Sequence, residues 1–230
     1  MCGRFTLSDP DAELAVQFNL PEIPDLKPRY NIAPTQPVAT VRAAAGGPAR
    51  EMVLLHWGLI PFWAKDPGIG SRMINARSET VAEKPAFRAA FRRRRCLVVA
   101  DGFYEWQKQN GNKQPYYIHL RDGQPFAFAG LWEHWEGEAG VIESCTLLTT
   151  EPNELVRPVH NRMPVIVKPD DYELWLDPEM QQPERLQPLL GPYPSAEMDA
   201  YPVSRRVNRP QNDDPQCIEP LPQQQGFEAL

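Results

Sequence analysis

The sequence has no apolar stretch long enough to cross a membrane as a helix, which takes about 18 consecutive apolar residues. Its beginning, Met-Cys-Gly-Arg-Phe, also lacks the basic segment and apolar segment that make up a secretory signal. We therefore expect a cytoplasmic protein that has no membrane partner.

Cysteine and histidine are both scarce, with four of each dispersed singly along the chain. No CxxC or HxxxH spacing occurs, so the sequence predicts neither a metal site nor a bound cofactor. It also has no internal repeat and no glycine-rich phosphate loop. Cys96 and Cys145 lie in apolar stretches typical of small core residues, and Cys217 is likewise typical of a structural cysteine.

The chain has fewer basic than acidic residues, with a formal net charge of −6, but the basic residues are concentrated in the middle of the chain. Residues 65–113 contain eleven Lys or Arg and five Asp or Glu, whereas residues 168–230 contain five and twelve. This asymmetry allows a positive groove on an acidic protein. On charge alone, a solvated helix face followed by an acidic surface explains it equally well.

Proline is abundant, with 26 residues, which favours many short elements joined by rigid turns. The alternation of apolar and polar residues predicts eight or nine strands, including strands over 38–42, 52–57, 96–100, 116–120, 125–131, 144–149 and 201–207. Short helices are expected over about 9–19, 85–94, 170–176 and 184–190. The predicted fold class is α+β: a single domain over 1–220, with a barrel-like or sandwiched, mostly antiparallel β-sheet and short peripheral helices. The composition of residues 221–230 is typical of a disordered C-terminal tail.

Cys2 is the residue with the most distinctive chemistry. Because Cys2 and Gly3 are small, removal of Met1 is expected, and it would leave Cys2 as the terminal residue. Its α-amine would then have a pKa of about 7.7–8.0, close to a thiol of about 8.5, so part of the amine is neutral at pH 7. Such an amine attacks an aldehyde to give a Schiff base, and the adjacent thiol closes a five-membered thiazolidine ring. An internal cysteine cannot do this.

Three further polar residues stand in otherwise apolar stretches. Asn75 lies in Ile-Asn-Ala-Arg-Ser-Glu, and Glu105 lies among aromatic residues just past a predicted buried strand. Burial raises the pKa of a carboxyl group, which makes Glu105 a candidate acid/base. His160 titrates near neutral pH. Each also has an ordinary structural explanation: Asn75 as a turn cap, Glu105 as an ion-pair partner, and His160 as a hydrogen-bonded loop residue.

Seven sequence blocks together are far more specific than any one of these residues. They are Met-Cys-Gly-Arg-Phe (1–5), Arg-Tyr-Asn-Ile-Ala-Pro (29–34), Trp-Gly-Leu-Ile-Pro (57–61), Ile-Asn-Ala-Arg-Ser-Glu-Thr (74–80), Gly-Phe-Tyr-Glu-Trp (102–106), His-Asn-Arg-Met-Pro (160–164) and Val-Ser-Arg-Arg-Val-Asn (203–208). In this order they resemble the SRAP family, the SOS-response-associated proteins that process abasic sites. The resemblance covers the chain from Cys2 to about Pro220.

The resemblance implies a role for each catalytic candidate. Cys2 would be the nucleophile that crosslinks to an abasic site in single-stranded DNA, in the DNA damage response. Asn75 would hold the thiazolidine or the opened sugar, and Glu105 would shuttle protons during Schiff-base formation and ring closure. His160 would be a second acid/base near the sugar hydroxyl and would assist crosslink reversal.

The resemblance also implies how DNA would be bound. Arg4, Arg77 and Arg162 match positions that grip phosphates beside the lesion. Trp63 falls in the segment from which the family inserts a wedge into the base stack, although the stretch before Asn75 is longer than in the family pattern. The expected partner is single-stranded DNA containing abasic sites, bound by a monomer that lies at the nucleoid when on DNA.

Three alternatives remain open at this stage. N-terminal-cysteine amidohydrolases also begin Met-Cys-Gly, and in them the thiol attacks an amide while the α-amine is the base. A non-covalent single-strand binder would use the aromatic and basic middle of the chain for base stacking. The third alternative is proteolysis, because the family carries a peptidase label that fits self-removal of Met1.

Overall fold

Short strands joined by tight turns dominate the fold. The computed structural model describes residues 2–10, 13–45, 49–109, 111–138 and 140–222. The strands are β1 (Phe5–Leu7), β2 (Arg29–Ile32), β3 (Pro37–Ala43), β4 (Arg50–Trp57), β5 (Asn75–Arg77), β6 (Arg95–Ala100), β7 (Gly102–Gln109), β8 (Asn112–Leu120), β9 (Phe126–Gly137), β10 (Gly140–Thr150), β11 (Met163–Pro164), β12 (Ile166–Val167) and β13 (Met198–Pro202). The α-helices are α1 (Glu13–Gln17), α2 (Arg88–Arg93), α3 (Tyr172–Leu176) and α4 (Pro183–Leu186), and the remaining helical turns are 3₁₀.

Five strands close into a barrel because β10 pairs on one side with β9 and on the other with β4. The ring is completed by the pairs β4–β3, β3–β6 and β6–β9. All of these pairs are antiparallel except β10 with β4. Ser144 and Cys145 pair with β4, whereas the residues from Leu147 to Thr149 pair with β5, also in parallel. Strand β5 therefore continues along the edge of β10 where β4 ends.

The second sheet has the strand order β13-β8-β7-β1-β2 and contains the amino-terminal segment. In it β1 lies between β2 and β7 and is antiparallel to both. Pairing with β7 extends beyond Phe5, because the backbone N–H of Tyr104 donates to the carbonyl of Arg4 at 3.0 Å. The chain before Phe5 is thus held against β7 in the middle of a sheet.

Aromatic side chains join the second sheet to the barrel. Phe5 of β1 packs against Trp57 of β4 at 5.1 Å between ring centroids, and against Phe128 of β9 at 5.6 Å. Phe103 of β7 contacts the same Phe128 ring at 6.0 Å. All four side chains are fully buried. Burial of each contributes about 1.5–3 kcal/mol to folding, so the position of β1 is fixed by the core itself.

The predicted α+β class, the barrel-like antiparallel sheet and the short helices are confirmed, but the strands are more numerous and longer than predicted. The predicted bounds of the last strand, 201–207, are wrong. Strand β13 ends at Pro202, and residues 205–208 form a 3₁₀ turn capped by Ser204. Residues after Asp101 continue as β7. Of the predicted tail, residues 223–230 lie outside the described residues. Among the described helices, none has the length and apolarity that crossing a bilayer requires.

Candidate active site

Cys2 lies immediately before β1 and is fully buried. Its thiol donates a long hydrogen bond, 3.8 Å, to the carbonyl of Arg4. Burial raises the pKa of the Cys2 thiol far above its ordinary value, and the nearby Glu105 carboxylate raises it further. The thiol is therefore protonated at neutral pH, which disfavours a reaction that begins with attack by a thiolate.

Asn75, the first residue of β5, holds the backbone of Cys2 in place. Its Nδ2 donates to the carbonyl of Cys2 at 2.7 Å. Pairing of Asn75 with Leu147 in β10 fixes the base of the side chain. Among the described residues, none donates a hydrogen bond to the buried Oδ1 of Asn75. This oxygen is consequently an unsatisfied acceptor on the side chain that holds the backbone of Cys2.

Glu105 lies on β7, the strand that continues beside the amino terminus, and its side chain is 2% exposed. Burial raises the pKa of Glu105 from its ordinary value of 4.5 to about 7. At neutral pH both its protonated and its ionised forms are populated. Glu105 can therefore either donate or accept a proton next to Cys2.

His160 completes the cluster, because its Nε2 lies 3.9 Å from Oε2 of Glu105. The backbone N–H of Arg162 donates to Nδ1 of His160 at 3.1 Å. Nδ1 also lies 3.2 Å from the carbonyl of Arg162, so either tautomer of the neutral ring has a partner there, and Nε2 faces Glu105 in both. Burial lowers the pKa of His160, so the neutral form is favoured at pH 7.

The three predicted phosphate ligands differ in their surroundings. Nη1 of Arg4 donates to Oδ1 of Asn31 and to the carbonyl of Val207, each at 2.7 Å, so this guanidinium is also a structural tie. Arg162 forms a two-pronged ion pair with Glu79 at 2.6 and 3.0 Å. Arg77, the last residue of β5, is exposed. Of the three, Arg77 has the geometry most open to a phosphate.

Trp63 lies in the turn that follows β4, where the N–H of Ala64 donates to the carbonyl of Pro61 at 2.8 Å. Its side chain is 51% exposed and that of the adjacent Phe62 is 59% exposed. The wedge role of Trp63 remains a prediction.

The cleft at the site also contains residues that the sequence did not single out. A cleft of about 410 Å³ is lined by Glu105, Trp106, Lys108, Lys113, His160 and Asn208. The indole N–H of Trp106 donates to Oδ1 of Asn208 at 2.8 Å, which fixes the ring at the mouth of the site. A strand prediction over 102–109 would have placed Trp106 and Lys108 on one face, because side chains alternate along a strand. In the described parts of the chain, no three His, Cys, Asp or Glu side chains are grouped so that they could hold a metal.

Comparisons with known proteins identify the family of the chain. The sequence model of the family described as SOS response associated peptidase (SRAP) matches residues 1–210. The chain belongs to the SRAP family. Among its SRAP relatives, the abasic site processing protein YoqW of Bacillus subtilis (strain 168) is 45% identical over 224 residues, which cover 95% of this chain and 99% of YoqW. The abasic site processing protein YoaM of the same strain is 43% identical over 224 residues, which cover 95% of this chain and 98% of YoaM.

The SRAP fold is also found among solved structures. A crystal structure of a protein from Bacteroides thetaiotaomicron superposes with a TM-score of 0.86 at 27% sequence identity. The superposition covers 96% of this chain and all of the other. The whole architecture, including both sheets, is therefore shared with a protein of low sequence identity.

Glu105 makes a specific prediction for the pH dependence of stability. Between pH 4.5 and about 7 the folded protein keeps a proton that the unfolded chain has lost. The stability from this group is complete below pH 4.5 and is lost as the pH rises through about 7, a change of about 3 kcal/mol. We expect Glu105→Gln to remove this slope in urea unfolding measured from about pH 4 to pH 8. Parallel curves for the two proteins would contradict the raised pKa.

Proposed function

We propose that this protein processes abasic sites in single-stranded DNA by forming a covalent crosslink through Cys2, once Met1 has been removed. The observation that carries the proposal is the cluster around Cys2: an amide that donates to its carbonyl, a carboxyl group with a pKa of about 7, and a histidine whose Nε2 lies 3.9 Å from that carboxyl group. The SRAP relatives named as abasic site processing proteins support the choice of substrate.

The first step is attack by the α-amine of Cys2 on the aldehyde of the ring-opened abasic sugar. The new C–N bond gives a carbinolamine, and loss of its hydroxyl as water gives the Schiff base. Glu105 in its protonated form supplies the proton that leaves with the water, and its ionised form accepts the proton that the amine loses. A carboxyl group with a pKa of about 7 suits both transfers at neutral pH.

The second step is addition of the Cys2 thiol to the imine carbon. A C–S bond forms, the thiol proton passes to the imine nitrogen, and a thiazolidine ring results without any oxidant or reductant. Because burial keeps the thiol protonated, the amine reacts first and the thiol follows within the same residue. Oδ1 of Asn75, which accepts no hydrogen bond from the described residues, is proposed to accept one from the sugar or from the ring nitrogen.

His160 is proposed to hold the sugar hydroxyl and to assist reversal of the crosslink. Its Nε2 lies 3.9 Å from Oε2 of Glu105, near enough for proton exchange once bound DNA tightens the site. Self-removal of Met1, the finer peptidase function, would use the same proton-transfer groups beside the amino terminus. Mass spectrometry of protein expressed with Glu105→Gln tests this: retention of Met1 in the variant alone supports self-processing, and removal in both assigns it to a cellular aminopeptidase.

Intact mass spectrometry tests the crosslink directly. Purified protein is incubated with an oligonucleotide containing one abasic site, and with a control oligonucleotide of the same sequence without it. The expected product has the mass of the protein without Met1 plus that of the DNA, less one water. A protein that binds the DNA but gives no such species would be the non-covalent binder of the alternative proposal.

The raised pKa of the Cys2 thiol also bears on the amidohydrolase alternative. That reaction begins with a sulfur nucleophile, and a fully buried thiol next to a carboxylate is a poor one. We therefore expect no release of ammonia from glutamine at neutral pH. Ammonia release by the wild type above that of Cys2→Ala would favour the amidohydrolase.

Arg77→Gln should weaken DNA binding and make that binding less dependent on salt. Each phosphate neutralised on a single strand contributes about −0.7 to the slope of log K against log salt, and three to five contacts imply a total slope of about −2 to −3.5. Because Arg77 is exposed at the end of β5, its loss should make the slope shallower by about 0.7. Fluorescence anisotropy with a non-reactive tetrahydrofuran abasic analogue measures this. A slope equal to that of the wild type would exclude Arg77 from the phosphate contacts.

A further inference from the structure

Two lysines with no acidic partner face each other on the hairpin beside the active site. Lys108 of β7 and Lys113 of β8 are directly opposite in the antiparallel register. Both are exposed, and within the described residues neither forms an ion pair. Directly opposite side chains have Cβ atoms about 4.5–5.5 Å apart, and like charges at that distance are destabilising. The hairpin therefore tolerates a repulsion that one oppositely charged residue would remove.

The two lysines belong to the same cleft as the proposed proton-transfer groups. Glu105, Trp106 and His160 line this cleft together with Lys108 and Lys113. The positive charge of Lys108 reaches His160: it adds to burial, the larger cause, in lowering the pKa of that histidine. Lys108 follows Glu105 by three residues along β7, so the lysine pair lies one step further along the hairpin than the proposed proton-transfer group.

An anion placed between the two ammonium groups would turn the repulsion into attraction. The protein has a net charge of −6, so the affinity for an anionic chain cannot come from its overall charge. Local cationic sites must supply this affinity. The lysine pair is such a site, and it is separate from the three arginines. A phosphodiester carries one negative charge, and its two non-bridging oxygens can each accept from a separate ammonium group.

We propose that Lys108 and Lys113 together bind a single backbone phosphate of the DNA strand, close to the abasic nucleotide held at Cys2. This inference rests on the proposed function, because it supposes that the strand occupies the cleft. The lysines would fix the direction in which the strand leaves the site. They would add a phosphate contact on the β7–β8 hairpin to the contacts proposed for the arginines.

The test is Lys108→Gln/Lys113→Gln, with Lys27→Gln/Lys168→Gln as a control that removes two exposed lysines elsewhere. The probe is a single-stranded oligonucleotide with one tetrahydrofuran abasic analogue, which binds without reacting. Loss of one phosphate contact should make the salt slope shallower by about 0.7, which corresponds to about fivefold weaker binding at 0.1 M salt. The control should keep the wild-type slope. Equal slopes and affinities for the wild type and the Lys108/Lys113 variant would overturn the inference.

Lys113→Glu separates binding from folding. The new carboxylate would face Lys108 across the hairpin and replace a repulsive pair by an attractive one. We expect an unchanged or higher melting temperature together with DNA binding weakened at least as much as in the double glutamine variant. Weaker binding with a lowered melting temperature would instead make the lysine pair structural.

Neutral methylphosphonate linkages locate the contact. The phosphates next to the abasic analogue are replaced one at a time. At one position the replacement should weaken binding to the wild type. The same replacement should leave binding to Lys108→Gln/Lys113→Gln unchanged, because that variant has already lost the contact. Equal losses in both proteins at every position would count against the inference. A wild type that crosslinks abasic DNA while the lysine variants behave normally contradicts only this inference; a wild type that neither binds nor crosslinks contradicts the proposed function.

Discussion

Cys2→Ala is expected to abolish the SDS-resistant adduct with abasic single-stranded DNA. Only a terminal cysteine carries an amine and a thiol on adjacent carbons, and both are needed to close the thiazolidine. The variant keeps a terminal amine, so borohydride should still trap a transient Schiff base. Denaturing gel electrophoresis with and without borohydride separates the two species. An undiminished stable adduct in Cys2→Ala would falsify the mechanism.

Four further variants are the controls for this result. Cys2→Ser retains the amine and replaces the thiol by a much weaker nucleophile, so it should give an imine that borohydride traps and little stable adduct. Cys96→Ala, Cys145→Ala and Cys217→Ala each remove a fully buried thiol from elsewhere in the fold and should crosslink normally. Melting temperatures identify any control that has lost stability instead of chemistry.

Glu105→Gln should slow crosslinking by about 10²–10⁴-fold, the usual contribution of a positioned acid/base group. The substitution keeps the shape of the side chain and removes its ability to exchange a proton beside Cys2. Affinity for the tetrahydrofuran analogue should not fall, because loss of a buried negative charge does not weaken phosphate binding. Single-turnover rates at saturating DNA, with anisotropy for binding, give the two numbers separately.

The outcome to distinguish from this is an equal loss of rate and affinity in Glu105→Gln. Such a result would assign Glu105 a structural role, in which its carboxyl group maintains the cleft without moving protons. His160→Ala is the companion variant, since its imidazole lies 3.9 Å from the same carboxyl group. We expect it to change the rate of crosslink reversal more than the rate of capture.

The sequence by itself determined the family of the chain and was enough to predict the chemistry proposed for Cys2. Position 2 followed by glycine is a property of the covalent chain, and it needs no fold to be recognised. The SRAP resemblance then named Asn75, Glu105 and His160, and the structure brings all three to Cys2 and its surroundings. The class of fold was also predicted, because turn residues and alternating apolar residues are local features.

Strand pairing could not be predicted in the same way. Pairing of β10 with β4, β5, β9 and β11 depends on which distant segments bury their apolar faces together, and local residue patterns do not reveal those partners. The predicted bounds of the strand over 201–207 were wrong for a related reason. Pro202 and the capping hydroxyl of Ser204 end the extended backbone, and the following 3₁₀ turn presents the carbonyl of Val207 to Arg4.

Only the tertiary structure decided the protonation states and the free charges at the site. Burial of Glu105 brings its pKa to about 7, and burial of the Cys2 thiol keeps that thiol neutral. Neither follows from residue type, because desolvation depends on what packs around a group. The same holds for charge: Arg162 is paired with Glu79, whereas Lys108 and Lys113 face each other, and only the register of the hairpin shows which cations remain available to DNA.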